Sequence, residues 1–116
     1  MTTYVEYVVI FYIFYIRKYL NTMTVQELIK IEEQLLYFET INKFDLNFND
    51  YLLLMKTLKE IGEITSQYFI LVKEYDIYLQ KQNVNIDKRR EMLVQYNEKI
   101  LNTDINIQIP NFDIKQ

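Results

Sequence analysis

The side chains in this sequence that could do chemistry are carboxylates, amines, guanidiniums and phenols. Its 116 residues hold sixteen acidic groups, thirteen basic ones and eleven Tyr, but no histidine and no cysteine. Proton transfer near neutral pH, zinc ligation and the Ser/His or Cys/His nucleophile pairs draw on those two missing types. Disulfides and thiol chemistry are excluded with them, and a chain without cysteine suits the cytosol. One pair invites a metal, Glu32-Glu33. Bundle di-metal sites place a histidine three residues beyond such a glutamate, and positions 35 and 36 are both Leu. The two carboxylates therefore read as a solvated helix face. The composition argues against an enzyme, and no cofactor is expected. A net charge of −3, with both signs mixed along the chain, gives no basic face for nucleic acid.

What remains is helix–helix contact, and the elements that would provide it are plain. One glycine and one proline in the whole chain disfavour sandwiches, barrels and dinucleotide-binding folds, which need many turn residues. Val72, Leu79, Ile86, Leu93 and Ile100 recur every seven residues, and the series extends back through Thr65 to Leu58. Such a period keeps one stripe of a helix facing a partner. Ile61, Tyr68, Tyr75 and Tyr96 form a second row; Ile64, Leu71, Tyr78 and Met92 form a third. The stripe is as wide as a small bundle requires. Thr65 apart, these fourteen residues, Leu58 and Ile100 included, are the expected interface with a partner helix.

The expected fold is all-α: a helical hairpin with one long helix, a coiled-coil or bundle subunit of a larger assembly. The first helix spans about residues 24–41. Thr24-Val25-Gln26-Glu27 fits a capping box, and Leu28, Ile31, Leu35 and Phe38 form its apolar stripe. Residues 42–49 favour a turn, with Phe44, Leu46 and Phe48 tucked inward and Asn47 or Asn49 capping the next helix. That second helix runs from about 49 to 101, with a bend at Gly62 allowed. Gln82, Asn85 and Arg89 interrupt its buried face. They are read as a register device within a continuous or mildly bent helix, the alternative being a local break near 83–85. A helix of about 50 residues is about 75 Å long, more than the first can cover. Its spare stripe implies self-association, or an obligate hetero-oligomer with helical subunits, dependent on Val72, Leu79, Ile86 and Leu93 rather than on charges.

The two ends stand apart. Residues 1–22 carry an apolar block at 4–16 that is shorter than the roughly 20 residues of a membrane span and contains Glu6. It reads as a buried helix or strand, a hydrophobic contact surface, or an atypical amino terminus ahead of a domain starting at Met23. A membrane-associated role for residues 4–20 is the further alternative. Residues 102–116 alternate Ile105, Ile107 and Ile109 with polar residues, the period of a strand. No partner strand is evident within the chain, so an extended tail on a neighbouring protein, or disorder, is expected.

One resemblance sharpens the functional expectation. Glu63-Ile64-Thr65, Leu71-Val72-Lys73-Glu74-Tyr75-Asp76 and Glu91-Met92-Leu93 stand in a spacing that resembles the carboxy-terminal helix of the small dynactin subunit family, dynactin subunit 3. Ile31-Glu32-Glu33-Gln34 is similar to a stretch of the preceding helix, so the likeness covers about residues 28–100. Lys73 stands where the family has an acidic residue. The family's amino-terminal coiled coil has no counterpart here, and residues 1–22 match nothing in it, as expected of a partial or aberrantly started chain. The resemblance implies a non-enzymatic subunit of the dynactin shoulder, cytoplasmic and cytoskeleton-associated. It would pair with a dynamitin-like partner and support dynein-driven microtubule transport and the mitotic spindle.

Overall fold

The structure, a computed structural model, describes residues 22–115. Everything expected of residues 4–20, the membrane role included, lies outside the described residues. The fold is all-α, with two short strands: β1 (Met23–Thr24), α1 (Val25–Thr40), α2 (Phe48–Lys81), α3 (Ile86–Leu101) and β2 (Asp104–Ile105). No helix among the described residues is long and apolar enough to cross a membrane.

Each helix begins where a short polar side chain satisfies a free N–H. The Glu27 N–H donates to Thr24 Oγ1 at 3.2 Å, and the Thr24 hydroxyl reaches Glu27 Oε1 at 3.3 Å. Asn47 Oδ1 accepts from the Asp50 N–H at 2.9 Å, and Asn85 Oδ1 from the Asp87 N–H at the same distance. Phe48, the first residue of α2, stays exposed, whereas Phe44 and Leu46 pack against the core.

The single long helix expected from the seven-residue series is not formed. The chain turns at 82–85 and α3 folds back along α2. Asn83 takes a left-handed φ of 57°, the Asn83 N–H reaches the Gln80 carbonyl, and the Val84 N–H reaches the Leu79 carbonyl. This paired 5→2 and 6→1 bonding terminates a helix, and Asn, whose side chain tolerates left-handed backbone, can take the place of glycine in it. Asn85 then caps α3 two residues later. The end of α1 is built the same way: Asn42 has φ 54°, and Asn42 and Lys43 donate to Glu39 and Phe38. Gly62, by contrast, does not interrupt α2.

α2 is the spine. Its 34 residues make a rod of about 51 Å, nearly the 54 Å length of the molecule. α1 packs on its first half and α3 on its second. The two shorter helices meet near its middle, where the Val25 N–H donates to the Thr103 carbonyl at 3.0 Å.

The tail does not leave the chain. β2 pairs antiparallel with β1, Met23 opposite Ile105 and Thr24 opposite Asp104. Residues 106–114 then run beside α1, burying Ile107, Ile109 and Phe112, and Ile114 bridges to Phe44. The partner edge is only two residues long, too short to show any alternation. The base of the molecule thus has three layers, α2, α1 and the tail. Its core holds Leu28, Ile31, Leu35, Phe38, Leu54 and Ile61, with Phe44 edge-on to both Phe38 and Phe112 at 5.9 Å.

Candidate functional site

The expected interface residues separate into three groups. Leu58, Ile61 and Ile64 belong to the base, where Ile61 is fully buried and the other two pack against the core. Tyr68, Val72, Tyr75 and Leu79 line the α2 side of a second hairpin, the arm made with α3; Leu79 is 2% exposed. Met92, Leu93, Tyr96 and Ile100 are half-buried along α3, while Ile86 at its start is exposed. Of the expected residues on α2, Leu71 and Tyr78 stand open to solvent.

The seven-residue series explains this arrangement once the turn is included. Leu79 and Ile86 are one period apart and flank the turn, so the series stays in phase across it. Val72 and Leu79 therefore approach Leu93 and Ile86 rather than a foreign helix, and Val72 and Leu93 line one groove. Tyr75 packs against Tyr96 with centroids 4.4 Å apart and the rings tilted by 41°, and lies nearly parallel to Tyr78 at 6.4 Å. Arg89, polar where the buried face was expected, reaches Asp76 Oδ1 at 3.3 Å across the seam. That oxygen is covered by protein and makes no hydrogen bond, so its partner is the guanidinium charge alone. The pair holds the two helices in register. Being partly exposed, it is worth about 0–1 kcal/mol.

With its seam closed upon itself, the arm still presents apolar groups on both faces. On one, a groove of about 410 Å³ runs between the helices, lined by Phe69, Val72, Lys73, Asp76, Leu93, Val94 and Asn97. Phe69 is 56% exposed and Val94 59%. The other face carries Leu71, Tyr75, Tyr78, Met92 and Tyr96, which the helical repeat sets on the opposite side. Phe69, Ile70, Ile77 and Val94 were outside the expected interface because they sit off the seven-residue rows. Asking which apolar residues remain once the rows pair with each other would have found them.

The carboxylate pair behaves as two separate groups. Glu33 is exposed. Glu32 lies at the α1–α2 contact, and a Cβ on Gly62 would come within 3.2 Å of its Oε2. Glycine thus leaves room for a carboxylate between two helices. Burial pushes the Glu32 carboxyl above its usual range, the Thr65 hydroxyl draws it partly back, and the Glu33 charge adds to the rise. No cluster of acidic, histidine or cysteine residues among the described residues could hold a metal. No protein-family model, curated protein or solved structure matches the chain.

Proposed function

We propose that this chain is a non-enzymatic structural subunit, which joins a larger assembly by adding helices to its α2–α3 arm. The observation that carries the reading is exposure of large apolar side chains on both faces of a hairpin whose own seam is already closed. Burying one such side chain contributes roughly 1.5–3 kcal/mol, so faces that expose Phe69 and Val94 on one side and Leu71 and Tyr78 on the other are a strong incentive to bind. Two-helix hairpins reach bundle stability by acquiring further helices.

In its specific form the reading is a subunit of dynactin, cytoplasmic and cytoskeleton-associated, supporting microtubule-based transport and spindle function with a dynamitin-like partner. The spacing from Glu63 to Leu93 supports it, with the run now divided between α2 and α3. The test is binding of the full chain to the dynamitin subunit, beside an unrelated heptad protein and beside Leu71→Lys and Tyr78→Lys variants. Binding that prefers dynamitin and is lost in both variants is expected. Equal binding to the unrelated protein would remove the dynactin form, and binding indifferent to both variants would remove the Leu71–Tyr78 face of the arm as the docking element.

A further inference from the structure

The series Leu58, Thr65, Val72, Leu79, Ile86, Leu93 and Ile100 runs through the turn at 82–85 without gaining or losing a residue. A hairpin asks for no such continuity, because its two helices take their rotations separately and turns of many lengths can join them. An unbroken helix does require it, since only a constant period sets the rows of α2 and of α3 along one side of one rod. Nothing in the turn forbids a helix. The chain's one glycine is at 62 and its one proline at 110, and the left-handed place is held by Asn83, at φ 57°. Asparagine bears that conformation at a cost that glycine would avoid.

We infer that this chain also pairs with a second copy of itself by exchange across the turn. Residues 82–85 straighten into helix, and everything after Asn85 crosses to the other copy. α3 of each copy then lies on α2 of the other, and each tail lies on the other's base. Every contact made across the turn is remade between copies: Arg89 with Asp76, Tyr96 with Tyr75, β2 with β1, and Ile107, Ile109 and Phe112 with the core of the base. The closed chain itself shows that these surfaces fit, so the two forms differ only at the turn and in the cost of association. The joined helix runs from Phe48 to Leu101 and is about 81 Å long. The two-fold axis falls at the turn, so Gln82 of one rod comes level with Asn85 of the other, and the polar interruption of the stripe becomes its centre. α3, which has no fully buried residue, is the element that opens. The outer faces of the arm are the same in both forms, so the exchange goes beyond the docking role proposed above and does not depend on it.

Exchange requires opening, so the full chain is denatured, refolded at micromolar and at submillimolar concentration, and sized by chromatography with small-angle scattering. The dilute product should be monomeric, and the concentrated one should include a dimer about twice the 54 Å length of the monomer. Gln82→Ala, Asn83→Ala and Asn85→Ala combined should favour the dimer at least about tenfold, because each copy then sheds a left-handed residue and gains good helix formers. All three side chains are exposed, and circular dichroism checks that folding is retained. Asn83→Gly should disfavour the dimer. A second pair of variants reads exchange directly. Asp76→Arg and Arg89→Asp each set like charges across the seam, in a closed chain or in a dimer of identical copies. Refolded as a mixture they restore both ion pairs, and only between copies that have exchanged α3. The mixed dimer should therefore outnumber either like dimer. Three results each overturn the exchange: no dimer from the wild type at submillimolar concentration, a dimer population indifferent to the residue at 83, or a mixed dimer no commoner than chance.

Discussion

Base and arm share one helix and one apolar stripe, yet they are finished differently. Along the first half of α2, Leu54 and Ile61 are sealed beneath α1, and Leu28, Ile31, Leu35 and Phe38 are closed in turn. Along the second half, Leu79 is the one apolar side chain that reaches that state, and α3 has no fully buried residue. Helical propensity does not separate them, since both halves belong to continuous, capped helices. The difference is a third layer. The tail lays Ile107, Ile109 and Phe112 over the base, and nothing among the described residues covers the arm. Two helices leave flanks open that a third element must cover, so the base folds as a core and the arm as a surface.

The largest effect should come from stripping that layer. Deleting residues 106–116 removes three nearly buried side chains worth roughly 1.5–3 kcal/mol each, a large share of the roughly 5–15 kcal/mol that holds a small domain. Amide exchange in α1 should then become as fast as in α3. Exchange in α1 that stays slow would break the comparison.

Next in size is a paired truncation. Phe38→Ala, in the closed core, should cost about 3–5 kcal/mol. Leu93→Ala, half-buried in the arm, should cost about 1–2 kcal/mol by the same reasoning. Denaturant titration measures both, and equal losses would mean that the arm is as tightly packed as the base.

The turn between the two halves of the arm can be tuned at one residue. Asn83→Val should lose about 1–2 kcal/mol, because a β-branched side chain resists left-handed backbone. Asn83→Gly should be neutral or slightly stabilising. If Asn83→Val instead produced one long helix, the molecule would lengthen in small-angle scattering and expose the whole seven-residue stripe. That outcome would turn the arm into the rod that the sequence suggests.

The smallest effect concerns Glu32. Its carboxyl titrates above the usual range in the folded state, so its contribution favours folding at acid pH and is lost as pH rises through the folded value. At neutral pH the buried charge is a cost. Glu32→Gln should raise the melting temperature at neutral pH, and the gain should vanish below the usual carboxylate range. A gain independent of pH would point to packing beside Gly62 rather than to charge.

Local chemistry was readable without the fold. Thr24 caps α1 and Asn47 caps α2 because an Ncap oxygen needs only an N–H two or three residues away. The stripes of α1 and of α2 were readable for the same reason, since periodicity needs no knowledge of the partner. Which partner the stripe meets was a different matter. The same seven-residue series serves a rod facing a foreign helix or a hairpin facing itself, and the choice rests on the backbone at Asn83. A matching asparagine at 42 ends α1, so the signal was present, but polar residues at 82, 85 and 89 also fit a register device in an unbroken helix. The tail was undecidable along the chain. Its strand partner, Met23, lies some eighty residues upstream, and its buried side chains find their place only against the finished face of α1. Sequence alone determined that this protein is helical, capped and made for helix contact. Tertiary structure decided where those contacts are spent within the chain and where they are left open, because burial depends on which surfaces meet and not on the order in which they are written.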